Sequence, residues 1–227
     1  MLMLKGLVRS LFQVGFFAAV FLIPAGTWRW PRALLFLVVF GTLSLLMILA
    51  LARWAPLSLE ARVQRGAVRN QPAADKVASA ALGILNLAWF IFIAFDVHRL
   101  QIVPMPPTWL SVLGAAVGLA GCAVMVTAIW QNPYAAPIVG DQSERDQVVI
   151  ETGIYGRVRH PLYLGYLAFL AGLALWLGSV AALLVLPVVY TPVIARILIE
   201  EKTLRETLPG YDEYQETVRS RLIPAVW

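Results

Sequence analysis

The sequence predicts an all-α fold: a polytopic membrane helix bundle with about six spans, both termini cytoplasmic and a cytoplasmic amphipathic helix at the C-terminus. Three observations carry that expectation. Of 227 residues, 60% are hydrophobic and only 14% charged, where a soluble domain carries roughly 25% charged residues. Mean hydropathy is +0.76. The few charges are clustered, and the stretches between clusters approach the ~20 apolar residues that a helix needs to cross a bilayer. In hydrocarbon each backbone N–H and C=O must be bonded within the protein, so such stretches read as helices.

Taken in order, the spans are expected at residues 7–24, 31–52, 77–95, 109–130, 162–177 and 180–199. The first follows Lys5 and Arg9 as a signal peptide would, but a second apolar run comes within a few residues, so an uncleaved span is expected. The fourth carries Gly114, Gly118 and Gly121, small residues that let membrane helices approach closely. The fifth is short for a full span. It is separated from the sixth only by Gly178-Ser179, which predicts a tight helical hairpin. Five spans with a partly immersed hairpin is the alternative count. Pro187 and Pro192 are expected to bend the sixth span.

With the N-terminus placed inside, fifteen of the eighteen Lys and Arg residues fall on the cytoplasmic side, among them Arg62, Arg65, Arg69 and Arg145. Only Arg29, Arg32 and Arg99 fall outside. This is the asymmetry of the positive-inside rule, and it accounts for the net charge of +5 without a nucleic-acid partner. Trp28, Trp30, Trp54, Trp109 and Trp130 stand near span ends, where amphipathic aromatics anchor. The single cysteine, Cys122, excludes an intrachain disulfide, and two distant histidines, His98 and His160, argue against a metal site. Asp96 and His98 read as headgroup-level residues, and Asn86 as an interhelical hydrogen bond or a cavity-lining group.

Polar chemistry gathers after Trp130. The division expected is a four-span scaffold over residues 1–130 and a connector, hairpin and tail over 131–227. The connector contains Pro133, Pro137, Gly140, Gly153 and Gly156, and long loops are usually functional or disordered. It ends in a run from Thr152 to Gly165 in which Arg157, Arg159 and His160 crowd against Pro161 at a helix start. Free N–H groups there favour an anion. A basic anchor touching lipid phosphate fits the same residues. Where the sixth span ends, Glu200 and Glu201 point about 100° apart on a helix, so one can face inward. Ordinary i,i+4 pairs, Arg196 with Glu200 and Glu201 with Arg205, are the alternative. The tail places Tyr211 and Tyr214 on one helix face, as a surface helix or a lid would.

These signals, in this order, resemble the isoprenylcysteine carboxyl methyltransferase family, which is related to the membrane phospholipid methyltransferases. The matching pieces are Gly153-Ile-Tyr155, Arg159-His-Pro-x-Tyr163-x-Gly165, Gly178-Ser179, Glu200-Glu201, Pro209-Gly-Tyr-x-x-Tyr214 and Arg221-Leu-Ile-Pro224. The resemblance implies S-adenosylmethionine held at the cytoplasmic membrane edge, with Tyr155, His160, Pro161, Tyr163 and Gly165 lining the pocket. It implies that Glu200 and Glu201 serve the cofactor and that Arg159 meets a substrate carboxylate. The phospholipid branch has a Gly-x-Gly near the start of an upstream span, where this chain has Gly118-x-x-Gly121. An amphiphilic acceptor entering from the bilayer is expected, most simply a carboxylate such as a prenylcysteine-like group. A phospholipid or a small thiol is the alternative acceptor. A nicotinamide-dependent membrane reductase and a non-enzymatic membrane protein are the readings from other classes.

Overall fold

In the computed structural model, residues 2–54, 56, 59–60, 71–135, 139–140, 146–224 and 226–227 are described. Arg62, Arg65, Arg69, Pro137 and Arg145 lie outside the described residues. The helices are α1 (Leu2–Ala25), α2 (Pro31–Trp54), α3 (Ala73–Phe95, continued by a π-helical turn, Asp96–Leu100), α4 (Thr108–Gln131), α5 (Pro161–Leu177), α6 (Val180–Thr207) and α7 (Tyr211–Thr217), with a short 3₁₀ turn at Gly153–Gly156 before α5. No strand occurs among the described residues.

Five of these helices are long and apolar enough to cross a membrane; Pro161–Leu177 is a shorter apolar helix. At 1.5 Å per residue, seventeen residues reach about 26 Å, just under a hydrocarbon core of ~30 Å. So the fold is five spans plus a shorter apolar helix, the alternative count, and the length of that helix is bounded by Pro161 at its start and Gly178 at its end. The 28 residues of α6 reach about 42 Å, some two turns more than the hydrocarbon requires. Its last two turns or so carry Glu200 and Glu201.

Aromatic rings lock α1, α2 and α3 together. Phe17 meets Phe36, Phe40 and Phe90 edge-on at 4.9–5.5 Å, and Phe21 meets Trp30, Phe36 and Phe90 likewise at 5.7–6.0 Å. Edge-to-face rings add about 0.5–1.5 kcal/mol per pair beyond their burial. The α3 helix also lies along α6, where buried Trp89 donates its indole N–H to Ala182 O at 2.8 Å.

The neighbour of the glycine-bearing span is α5. A Cβ on Gly121 would meet Gly165 O at 2.5 Å, and one on Gly172 would run into Gly118 N and Gly114 O. Backbone therefore packs on backbone along this seam, as small residues permit.

Opposite the cleft described below, the bundle is closed by a turn. Gly178 at φ +103° caps α5, a conformation that favours glycine. Ser179 Oγ accepts from Ala182 N at 3.0 Å, capping α6, and donates to Asp96 Oδ2. Asp96 is thus buried at 1% exposure rather than set among headgroups, because its carboxylate also accepts from Ile102 N at 3.0 Å. Asn86 proves to be an interhelical link, accepting from the Tyr166 hydroxyl. Within α6 the helix runs on through Pro187 and Pro192. Pro192 cannot bond the Val188 carbonyl four residues back; the Thr191 hydroxyl does so instead, at 2.8 Å.

Candidate functional site

Three stretches far apart in sequence meet at the other end of the bundle, where α2, α4 and α6 finish and α1, α3 and α5 begin. The first is the approach to α5. Gly153 at φ +62° lets the chain turn against Gln131, whose Oε1 accepts from Ile154 N at 3.0 Å. A Cβ at Gly153 would lie 2.5 Å from the Gln131 amide, so the position has no room for one. The turn delivers Tyr155, buried, with its hydroxyl donating to Ala128 O at 3.3 Å.

The second and third stretches are the end of α6 and the tail. Glu201 is buried at 1% exposure and is the hub. Its Oε1 accepts from Arg159 Nε at 2.9 Å and Nη2 at 2.8 Å, and its Oε2 from Arg221 Nε at 2.9 Å. His160 Nε2 lies 3.2 Å from Oε1 and completes the set. Backbone bonds stitch the same junction: Arg159 N donates to Ser220 O at 3.0 Å and His160 N to Arg221 O at 2.9 Å. Tyr214 then closes the wall, its hydroxyl donating to Tyr155 O at 2.7 Å. Burial pushes the Tyr211 and Tyr214 phenols up from their ordinary range, so both stay protonated donors at neutral pH.

Between these stretches opens a cleft with an empty volume of about 850 Å³, continuous with solvent. Tyr155, Arg159, His160, Pro161, Tyr163 and Glu200 line it, with Tyr211 and Tyr214 from the tail and Val139 and Gly140 from the connector. Glu200 and Glu201 divide as their helical offset allows. Glu200, half-buried, faces the cleft and accepts from the Tyr163 hydroxyl at 3.0 Å. Glu201 faces inward and is not a lining residue. Gly165 sits deeper in α5 on the glycine seam, where a Cβ would meet Gly121 O at 2.7 Å, and it is not a lining residue either.

Arg159 stands at the cleft with its guanidinium already engaged. Besides its two bonds to Glu201, Nη1 donates to Val218 O at 2.6 Å and Arg219 O at 2.8 Å. Four of its five N–H groups are therefore used in holding the tail. The pairs within α6 that the sequence offered give way to long-range partners: Arg196 Nε bonds Asp75 Oδ1 at 2.9 Å, and Arg205 Nε reaches only the Glu201 carbonyl, at 3.4 Å.

Sequence reasoning passed over Asp75. It is fully buried at the start of α3, and besides Arg196 it accepts from Gln71 Nε2 at 2.7 Å and Val139 N at 3.2 Å. The available signal was spacing. Asp75 and Asn86 are eleven residues apart, about three helical turns, so the two polar residues share the inward face. No group of three or more His, Cys, Asp or Glu placed to hold a metal ion occurs among the described residues.

No curated protein matches the chain. The family model for phospholipid methyltransferases matches residues 109–209, a region that takes in α4, the connector, α5 and α6 and with them Tyr155, Arg159, His160, Glu200 and Glu201. A chain with five helices long and apolar enough to cross a membrane thus carries, over residues 109–209, a match to the phospholipid methyltransferase family, the family of isoprenylcysteine-carboxyl-methyltransferase-like membrane enzymes.

Proposed function

We propose that the cleft binds S-adenosylmethionine on the cytoplasmic side of the membrane and that the protein methylates an amphiphilic acceptor, most simply a carboxylate of the prenylcysteine type. One observation carries this reading. The lining of the cleft combines a half-buried carboxylate, Glu200, with the first turn of α5, Pro161 to Tyr163, inside the region that matches a methyltransferase family. Glu200 would take hydroxyl or ammonium groups. The first N–H groups of α5 lack intrahelical partners, as at any helix start, and would take a carboxylate. The residues present thus suit a ligand that carries all of these groups.

When bound, S-adenosylmethionine supplies a methyl group on a sulfonium; the rest is positioning by the protein. Tyr163 fixes the carboxylate of Glu200 by its hydrogen bond. The Glu201 hub holds the tail against the start of α5, and Tyr211 and Tyr214 form a wall that keeps water from one side. An ionised carboxylate or thiolate acceptor needs orientation more than a base, because a reactant held ~3–3.5 Å from its target gains most of the available rate. For an amine acceptor Glu200 is the available base, since Glu201 is fully occupied by Arg159, His160 and Arg221. The scaffold over residues 1–130 would guide the acceptor in from the bilayer, and the excess of Lys and Arg at the cleft end supports a cytoplasmic orientation.

The matched family, that of phospholipid methyltransferases, favours a second acceptor, a phospholipid headgroup. The engaged state of Arg159 points the same way, since that side chain offers one remaining N–H to a substrate carboxylate.

Calorimetric titration of the detergent-purified protein tests the reading. S-adenosylmethionine and its demethylated product are expected to bind, and Glu200→Gln to weaken both about tenfold or more, the worth of a charge-assisted hydrogen bond. Binding of NADPH alone would put a nicotinamide-dependent reductase in its place, and binding of none would leave a non-enzymatic protein. A radiolabelled methyl group followed into membrane extracts then separates carboxylate, thiol and lipid acceptors.

A further inference from the structure

Arg196 lies one turn before Glu200 on α6, the spacing at which two opposite charges on a helix pair. Yet the bonded partner of Glu200 is Tyr163, while Arg196 is turned across the bundle to Asp75 at 2.9 Å. Asp75 belongs to α3, outside the region matched by the family model. Its second oxygen holds Val139 N, and Val139 and Gly140 are connector residues at the cleft. A single buried carboxylate therefore touches both the guanidinium nearest Glu200 in sequence and the backbone of a connector residue that lines the cleft.

We infer that Asp75 is a positioning residue for the cleft: by holding Arg196 it keeps that arginine from pairing with Glu200, and so leaves the Glu200 carboxylate available to the ligand. The inference rests on the proposed binding of S-adenosylmethionine for its functional consequence, but not for its physical core. A buried guanidinium that loses its carboxylate partner is drawn to another carboxylate within reach. The nearest replacement along α6 is Glu200. Removing the charge of Asp75 then weakens ligand binding indirectly, and removing the charge of Arg196 as well restores it.

Two readouts test this. In the first, titration with S-adenosylmethionine compares wild type, Asp75→Asn and the double variant Asp75→Asn/Arg196→Gln. The single variant is expected to bind about tenfold more weakly, and the double variant to return to within about twofold of wild type. In the second, made without ligand, melting temperatures of Arg196→Gln, Glu200→Gln and their combination are measured in the wild-type and Asp75→Asn backgrounds. The coupling between the two sites should be weak when Asp75 is present and markedly stronger, with mutual stabilisation, when it is replaced.

Equal weakening in the single and double variants would reduce Asp75 to a scaffold role and overturn the inference. So would a coupling between Arg196 and Glu200 that is no stronger in the Asp75→Asn background than in wild type. Should Asp75→Asn fail to fold, the double variant carries the titration, and weak binding by it overturns the inference. Should the wild type bind no S-adenosylmethionine, the proposed function falls, and the melting cycle still decides the role of Asp75.

Discussion

α5 is held by two junctions built on opposite principles. Along its body, Gly165 and Gly172 meet Gly114, Gly118 and Gly121 of α4, and the helices are close because side chains are missing. At its start, Arg159 and His160 meet Glu201 and the tail, and the elements are close because charges are present. The seam gains many small dispersion contacts, each worth about 0.1–0.2 kcal/mol, so it degrades gradually. The charged junction rests on one carboxylate serving three basic groups, so it fails as a unit. The seam holds the body of α5 against α4, and the charged junction builds the cleft at its start.

Removing the hub is the harshest way to break the comparison. Glu201→Ala leaves Arg159 buried without its carboxylate and frees Arg221 from the same site. Breaking a buried ion pair by deleting one partner costs about 3–5 kcal/mol, so a large fall in melting temperature is expected in detergent, together with loss of ligand binding. Digestion with a protease should show the tail released before the bundle melts. A melting curve like that of wild type would mean that the junction is held by its backbone bonds alone.

Gly172→Val attacks the seam. The new side chain would collide with Gly118 N and Gly114 O, and overpacking of this kind costs about 1–3 kcal/mol. Gly118→Ala is the internal control, since a Cβ there meets its nearest neighbour at 3.8 Å, an ordinary contact. Unfolding in mixed micelles should show the first variant destabilised and the second close to wild type. Equal loss in both would mean that glycine matters here for reasons other than close approach.

How far each junction was legible follows from its physics. The seam announced one side of itself, since the glycines of the fourth span can serve only close packing or a turn. Its partner Gly165 came to attention through a motif tied to a pocket, whereas the side chain it lacks would clash with α4. The acidic doublet told by its 100° offset that one carboxylate could turn inward, but which one depended on the register of α6 against α3 and α5. Arg159 was visible as an unusual charge at a helix start; its engagement with Val218 O and Arg219 O was not, because backbone carbonyls of a tail leave no mark in a sequence. Asp75, beside Lys76 at a span edge, was passed over in the sequence, and only the fold shows it fully buried against Arg196. Length patterns gave the helices because bilayer thickness is a one-dimensional constraint, while long-range charge pairing is not.

The smallest effect sharpens the comparison at the edge of the charged junction. Tyr214→Phe removes the hydroxyl that donates to Tyr155 O at 2.7 Å but keeps the ring in its buried place. A neutral hydrogen bond contributes about 0.5–1.5 kcal/mol net, so only a modest fall in melting temperature is expected. Alkaline pH reads the burial of the same hydroxyl without mutation. Burial raises the folded-state values of Tyr211 and Tyr214 above the ordinary tyrosine value of about 10. The folded state therefore binds more protons than the unfolded one once pH passes that value, and stability present below it is lost as pH rises. Tyr214→Phe should be less sensitive than wild type to a pH increase through this range, because one of the two phenols that must ionise on unfolding is gone. An identical alkaline loss in both proteins would assign the sensitivity to Tyr211 or to groups outside the tail, and would leave the Tyr214 bond as a minor seal on a wall that the Glu201 hub already holds.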